Sequence, residues 1–181
     1  TDGQFDLPKL ERGGLNVAVV ALAADAAPNT PEGHAQARRQ VDNKYAALVR
    51  LVEAHPSKLA FVRSCEEIRS VAASGRQAIL LSFVNAVSLG TALSEIEVFY
   101  KRGVRLLALA HIGNNAFANS SRPNTALGDS PDAGGGLTGL GRRAIAELNR
   151  LGMVVDVTQL SPRGVAETIA LSRTPVIASH S

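Results

Sequence analysis

Short apolar runs alternate along the chain with longer amphipathic stretches. The apolar runs are rich in β-branched residues and cover positions 15–22, 59–62, 78–84, 104–110, 153–157 and 175–178. Runs of this kind are typical of parallel strands that are covered on both faces. With a further strand over residues 2–5, the pattern predicts about seven strands.

The stretches between the apolar runs have the periodicity of helices. The clearest lies over residues 137–151, where apolar side chains recur at helical spacings of three, four, seven and eight. Residues typical of helix starts occur at Thr30-Pro31, Ser64 with Glu67, and Ser161-Pro162. Glycines typical of helix ends occur at positions 75, 103 and 152. Strands and helices in alternation predict an α/β fold, either a doubly wound open sheet or a (β/α)8 TIM-type barrel.

The absence of nucleotide-binding motifs helps to decide between the open sheet and the barrel. No Gly-x-Gly-x-x-Gly follows the first long strand, and no Gly-x-x-x-x-Gly-Lys-Ser/Thr occurs in the sequence. The glycines at 134–136 come at the end of a long polar loop over residues 119–136 and not directly after a strand, which disfavours a phosphate site. The barrel is therefore favoured, and the loop, long for an ordinary connection, is interpreted as functional or mobile.

Composition narrows the class of protein further. Apolar residues make up 45% and charged residues 19% of the 181 positions, which indicates a globular chain. The net charge of +3 is dispersed, and aromatic residues make up only 4% with no tryptophan, so a nucleic-acid-binding surface is not expected. No apolar run is long enough for a membrane-spanning helix. The single cysteine, Cys65, excludes an internal disulfide.

Polar residues at strand ends are the candidates for chemistry, because barrel enzymes place their active sites there. These positions are Gln4, Asp6, Asn85, His111, Asp156, Gln159 and His180. Histidines that end apolar strands are core side chains or ligands, and together with a carboxylate they suit a zinc or manganese hydrolase. The other histidines, His34 and His55, fall on or near a long helix and are interpreted as structural.

Several stretches resemble one known family in the same order along the chain. They are residues 2–8 (Asp-Gly-Gln-Phe-Asp-Leu-Pro), 11–15, 55–59 (His-Pro-Ser-Lys-Leu), 103–115, 135–157 and 178–181 (Ala-Ser-His-Ser). The family is that of membrane dipeptidase (renal dipeptidase), zinc peptidases built as amidohydrolase-like metal barrels. The resemblance covers essentially the whole chain.

The resemblance implies a metal-dependent dipeptidase that hydrolyses dipeptides with a metal-activated water at the barrel mouth. The family holds two zinc ions; Asp6 and His180 match metal-ligand positions. His111 matches a catalytic histidine on the substrate side, and Asn114 falls in the matching segment as a substrate-binding residue. Gln4 and Gln159 stand at ligand positions where the family has histidine, and Val84 stands where it has the bridging glutamate.

These replacements change the expected metal content. Glutamine offers only a neutral amide oxygen, a weak zinc ligand. Valine offers no charge to hold two divalent cations together. We therefore expect one zinc ion or none, and two hypotheses remain: a metal-dependent dipeptidase, or a catalytically inactive dipeptidase-like barrel that acts as a binding or structural module.

The family's barrel is also longer than this sequence. We expect residues 1–181 to form one (β/α) barrel domain, the N-terminal part of a longer barrel, completed by a missing C-terminal half or stabilised as a homo-oligomer, because an open parallel sheet exposes unpaired edges. The compartment stays open between export with a removed signal and the cytoplasm.

Overall fold

A parallel β-sheet is the centre of the structure. The computed structural model describes residues 6–132 and 134–180, and within them the sheet has five strands. They are β1 (Val17–Ala23), β2 (Leu59–Val62), β3 (Gln77–Val84), β4 (Val104–Ala108) and β5 (Val154–Asp156). All pairings are parallel, as the continuous apolar runs predict.

Strand β3 organises the sheet. It pairs with β1 along its length, with β2 through residues 77–80 and with β4 through residues 81–84. Because a strand has two edges, β2 and β4 follow one another along the edge of β3 opposite β1. Strand β5 pairs with β4, and the sheet within the described residues is open. The architecture is therefore an incomplete α/β barrel, which confirms the predicted fold class.

Two predicted strands have different outcomes. The one over residues 2–5 lies outside the described residues. The one over 175–178 is wrong in extent, because only an isolated parallel bridge joins Asp156 to Ile177. Pro175 has no N–H to extend the ladder towards its start. On the other side, the N–H of Ser179 donates to the Asp156 carboxylate instead of continuing the ladder.

Six α-helices occur in the described part of the chain. They are α1 (Leu7–Arg12), α2 (Pro31–Ala54), α3 (Cys65–Ala73), α4 (Ser94–Lys101), α5 (Gly139–Leu151) and α6 (Pro162–Leu171). The predicted starts are confirmed, since the hydroxyls of Thr30, Ser64 and Ser161 each accept a hydrogen bond from a first-turn N–H. The predicted glycine ends at 75, 103 and 152 all have positive φ. None of these helices is both long and apolar enough to cross a membrane.

The core lies between the sheet and helices α2, α4 and α5. Phe83 of β3 and Phe99 of α4 are fully buried, with ring centroids 4.6 Å apart. The guanidinium groups of Arg38 and Arg102 lie 5.0 Å from the centre of the Phe99 ring. Aromatic burial and these cation–π contacts join α2 to α4.

The register of the sheet determines which residues meet at its carboxyl end. Ala23, Val84, Ala108 and Asp156 are neighbours across β1, β3, β4 and β5. Residues in one register row present their side chains on the same face. This row is called the terminal row below, and the candidate site is built around it.

Candidate functional site at the carboxyl end of the sheet

The structure brings together the two histidines that the sequence singles out at strand ends. His111 follows β4, and His180 follows the segment that bridges to β5. Their ring centroids are 5.8 Å apart and the rings are tilted by 43°. His111 and His180, 69 positions apart in the sequence, are therefore neighbours at the carboxyl end of the sheet.

The environment of His111 favours the neutral imidazole. Burial lowers the pKa of His111, and the nearby positive charges of His180 and Arg122 lower it further. The backbone oxygen of His111 accepts a hydrogen bond from the Ser120 hydroxyl, which joins the end of β4 to the following loop. A neutral imidazole can both donate and accept a hydrogen bond.

A chain of hydrogen bonds connects the buried Asp156 to His180. Asp156 is 3% exposed, and its Oδ1 accepts bonds from the N–H groups of Thr158 (2.9 Å) and Ser179 (3.2 Å). Its Oδ2 accepts the Ser179 hydroxyl, and the same hydroxyl oxygen lies 2.9 Å from Nδ1 of His180. Burial by itself would raise the pKa of Asp156, but the hydrogen bonds from Ser179 and Thr158 outweigh it, so the pKa lies below its ordinary value.

Gln159 lines a cavity formed by the segment that follows β5. Its backbone has φ of 61°, which is rare for a residue with a side chain, and its Oε1 is buried without a hydrogen-bond partner within residues 6–132 and 134–180. The cavity has a volume of about 470 Å³ and is also lined by Arg122, Thr158, Leu160 and Ala178. Strain and an unpaired polar atom at one residue are typical of functional positions.

Arg122 supplies a positive charge at this cavity. Its side chain is exposed, and its backbone forms an isolated bridge with Ile112, the residue after His111. Within the described parts of the chain its guanidinium forms no hydrogen bond or ion pair. The guanidinium is therefore available to an anionic group of a ligand.

The terminal row does not supply a bridging carboxylate. Val84 is 6% exposed at the carboxyl end of β3, and its register neighbour on β4 is Ala108. Asp156 is two strands away, about 10 Å across the sheet, and its oxygens already accept the bonds described above. Among residues 6–132 and 134–180, no group of three or more His, Cys, Asp or Glu side chains is placed to hold a metal ion. The Val84 side chain itself offers no atom that could bind a metal ion.

Asp6 has a structural role at the start of α1. Its Oδ1 accepts the N–H of Lys9 at 2.8 Å, and the Lys9 ammonium lies 3.6 Å from Oδ2. This is the geometry of a helix N-cap. Metal binding by Asp6 and His180 stays a prediction. Gln4, predicted as a weak ligand on the first strand, lies outside the described residues.

Asn114, predicted to bind substrate, is engaged within the loop after β4. Its side-chain oxygen accepts the N–H of Ser120 at 2.9 Å, and its own N–H donates to Asp129 at 2.8 Å. The same Asp129 oxygen accepts the N–H of Asn124 at 2.7 Å. The structure thus gives Asn114 and Asp129 a role in shaping the polar loop, while substrate binding by Asn114 stays a prediction.

The sequence reasoning missed Asn115, which is buried at 6% exposure. Its Nδ2 donates to the Leu109 carbonyl oxygen at 2.7 Å and to Asn85 Oδ1 at 3.3 Å, and its Oδ1 accepts the N–H groups of Phe117 and Ala118. Asn85 has φ of 75°, a conformation that asparagine tolerates better than most residues. Asn115 lies seven residues beyond the end of β4, so it stands at no strand end that would have marked it in the sequence.

The fold and these strand-end residues place the protein among α/β proteins whose sites lie at the carboxyl ends of parallel strands. The model of the family described as "Membrane dipeptidase (Peptidase family M19)" matches residues 1–181. The chain therefore belongs to this family of dipeptidases, which confirms the resemblance noted in the sequence.

Similar proteins agree with this assignment. A crystal structure of the probable dipeptidase PvdM from Pseudomonas aeruginosa is 40% identical, with a TM-score of 0.93 over 100% of this chain and 47% of that one. A metallopeptidase from Rhodobacter sphaeroides, liganded with a phosphinate mimic of the dipeptide L-Ala-D-Ala, is 26% identical, with a TM-score of 0.84 over 99% of this chain and 56% of that one. Dipeptidase aclJ from Aspergillus oryzae is 28% identical over 99% of this chain and 42% of its own length. The chain spans less than half of the curated relatives it matches.

Proposed function

We propose that the protein binds a dipeptide-like ligand at the carboxyl end of the sheet and does so without the two-ion hydrolytic centre of its family. The observation that carries this proposal is Val84 in the terminal row. Family membership supports a dipeptide ligand, and the matched Rhodobacter sphaeroides enzyme is liganded with a dipeptide mimic.

The two ends of a dipeptide differ in charge, and the site offers a partner for the acidic end. Arg122 lines the cavity of about 470 Å³ with an unpaired guanidinium, the group best suited to hold a carboxylate. His111, held neutral, is a donor suited to the peptide carbonyl. We assign carboxylate binding to Arg122 and carbonyl binding to His111.

The loss of the bridging carboxylate argues against hydrolysis by a two-ion centre. Two divalent cations a few ångströms apart repel each other strongly unless a negative charge lies between them. Val84 supplies none, and Gln4 and Gln159 are neutral at the positions that match family ligands. The chemistry of this donor set favours a binding module over a two-zinc peptidase.

One feature favours a second candidate, a hydrolase with a single zinc ion. The Nδ1 atom of His180 is held by Ser179, and metal-binding histidines are commonly oriented by such a contact on the nitrogen that does not bind the metal. Asp6 and His180 would be the protein ligands of that ion. This candidate differs from the first in predicting turnover.

The experiment combines metal content, binding and turnover on the full-length protein. After incubation with zinc and gel filtration, we expect well under two equivalents of zinc by mass spectrometry, measurable binding of L-Ala-D-Ala by calorimetry, and no release of free alanine. About two equivalents with turnover would refute the proposal, and so would the absence of binding. One equivalent with turnover would establish the second candidate.

Two sets of variants test the metal content and the dipeptide affinity separately. The triple variant Gln4→His, Val84→Glu, Gln159→His restores the family's ligand types and should bind more zinc than the natural protein. Arg122→Gln should weaken dipeptide binding by about tenfold, because it removes a charge-assisted hydrogen bond. Arg143→Gln, which changes an exposed arginine of α5, is the matched control and should leave affinity unchanged.

A further inference from the structure

The hydrogen-bond chain from Asp156 to His180 constrains where the protons lie. Asp156 receives three hydrogen bonds on its two carboxylate oxygens, from the Thr158 N–H, the Ser179 N–H and the Ser179 hydroxyl. An ionised carboxylate can only accept, and this surrounding of donors is the one it requires. The single hydroxyl proton of Ser179 is therefore directed at Asp156.

The direction of that bond determines the next one. Since the Ser179 proton is used towards Asp156, its oxygen can only accept from the imidazole of His180, whose Nδ1 lies 2.9 Å away. Nδ1 must then carry a hydrogen. In a neutral imidazole the other nitrogen, Nε2, is left with a free lone pair.

The position of His180 leaves the Nε2 lone pair accessible to a ligand. The residue is exposed, and Nε2 has no hydrogen-bond partner within the described residues. Its ring lies 5.8 Å from that of His111 at the edge where the ligand is proposed to bind. Without Ser179 nothing in the described contacts would distinguish the two ring nitrogens.

We infer that Ser179 is a positioning residue which, backed by Asp156, holds His180 in the Nδ1–H tautomer with Nε2 as an acceptor for a ligand N–H or O–H. A dipeptide's ammonium or amide N–H has the matching chemistry, and only this last identification rests on the proposed function. The tautomer itself follows from the hydrogen-bond geometry alone.

Nitrogen-15 NMR of the imidazole side chains tests the inference on the full-length protein. The spectra are recorded well above the ordinary imidazole pKa of about 6.5, and the His180 signals are identified by their loss in His180→Asn. We expect the natural protein to show Nδ1–H and unprotonated Nε2. Ser179→Ala should shift His180 to the Nε2–H form that free imidazole side chains prefer, and Ser179→Thr, which keeps the hydroxyl, should retain the natural signature.

The controls separate this effect from a general disturbance. Ser172→Ala removes a hydroxyl that donates to Thr174 and should leave the His180 signals unchanged. An Nε2–H form in the natural protein, or an unchanged Nδ1–H form in Ser179→Ala, would overturn the inference. If the tautomer is as stated but L-Ala-D-Ala does not bind, the proposed function fails while the role of Ser179 stands.

Discussion

Replacing Asn115 by alanine should destabilise the protein more than any exposed asparagine could. The side chain is buried and makes four hydrogen bonds, which hold the start of the loop after β4 against the strand ends. Alanine would leave the N–H groups of Phe117 and Ala118, both 0% exposed, without partners, while the Leu109 carbonyl oxygen would keep the hydrogen bond from the Ala86 N–H. Buried groups left unsatisfied cost about 1–3 kcal/mol each.

These costs are not additive, because water and small shifts satisfy some of the groups. We expect Asn115→Ala to lower the free energy of unfolding by about 2–4 kcal/mol. Urea denaturation followed by far-ultraviolet circular dichroism measures it, with the slope of the transition checked for a change in mechanism.

A matched substitution provides the reference. Asn43 lies exposed on α2, and Asn43→Ala should change the free energy of unfolding by no more than about 0.5 kcal/mol, with any change in the stabilising direction. A loss of less than about 1 kcal/mol for Asn115→Ala would show that the four hydrogen bonds do not organise this loop.

Two further predictions follow from the structure. Gly141→Ala should be strongly destabilising, because a Cβ atom there would lie 2.0 Å from the Phe117 carbonyl oxygen. In the control Gly139→Ala the new Cβ would have nothing within 4 Å, so this variant should be neutral or stabilising. Thermal unfolding of the two variants measures the difference, and equal effects would contradict the prediction. The pKa of His111 is lowered by burial and by the charges of His180 and Arg122, so the unfolded state binds more protons as pH falls below about 6.5 and stability should decrease in that direction. In His111→Asn this part of the pH dependence should vanish, and an unchanged profile in urea titrations would contradict the prediction.

Local signals in the sequence were sufficient for most of the secondary structure. The helix starts at Thr30, Ser64 and Ser161 depend on a side chain and an N–H three residues away, so the sequence contains the whole interaction. The strands depend on burial of apolar runs, which is also a local pattern. The segment over 175–178 shows the limit of this reasoning, because its pairing depends on what Ser179 bonds to.

The candidate site likewise has features that the sequence predicts and features that only the folded chain shows. The sequence by itself determined the family and the strand-end residues His111, Gln159 and His180, because strand ends are visible as the last residues of apolar runs. Only the tertiary structure decided that Ser179 connects Asp156 to His180, since that bond joins residues 23 positions apart. Only the sheet register decided that Val84 and Asp156 are separated by a strand. Distances between strands depend on pairing and not on sequence separation, and for that reason the arrangement of the site emerges only in the folded chain.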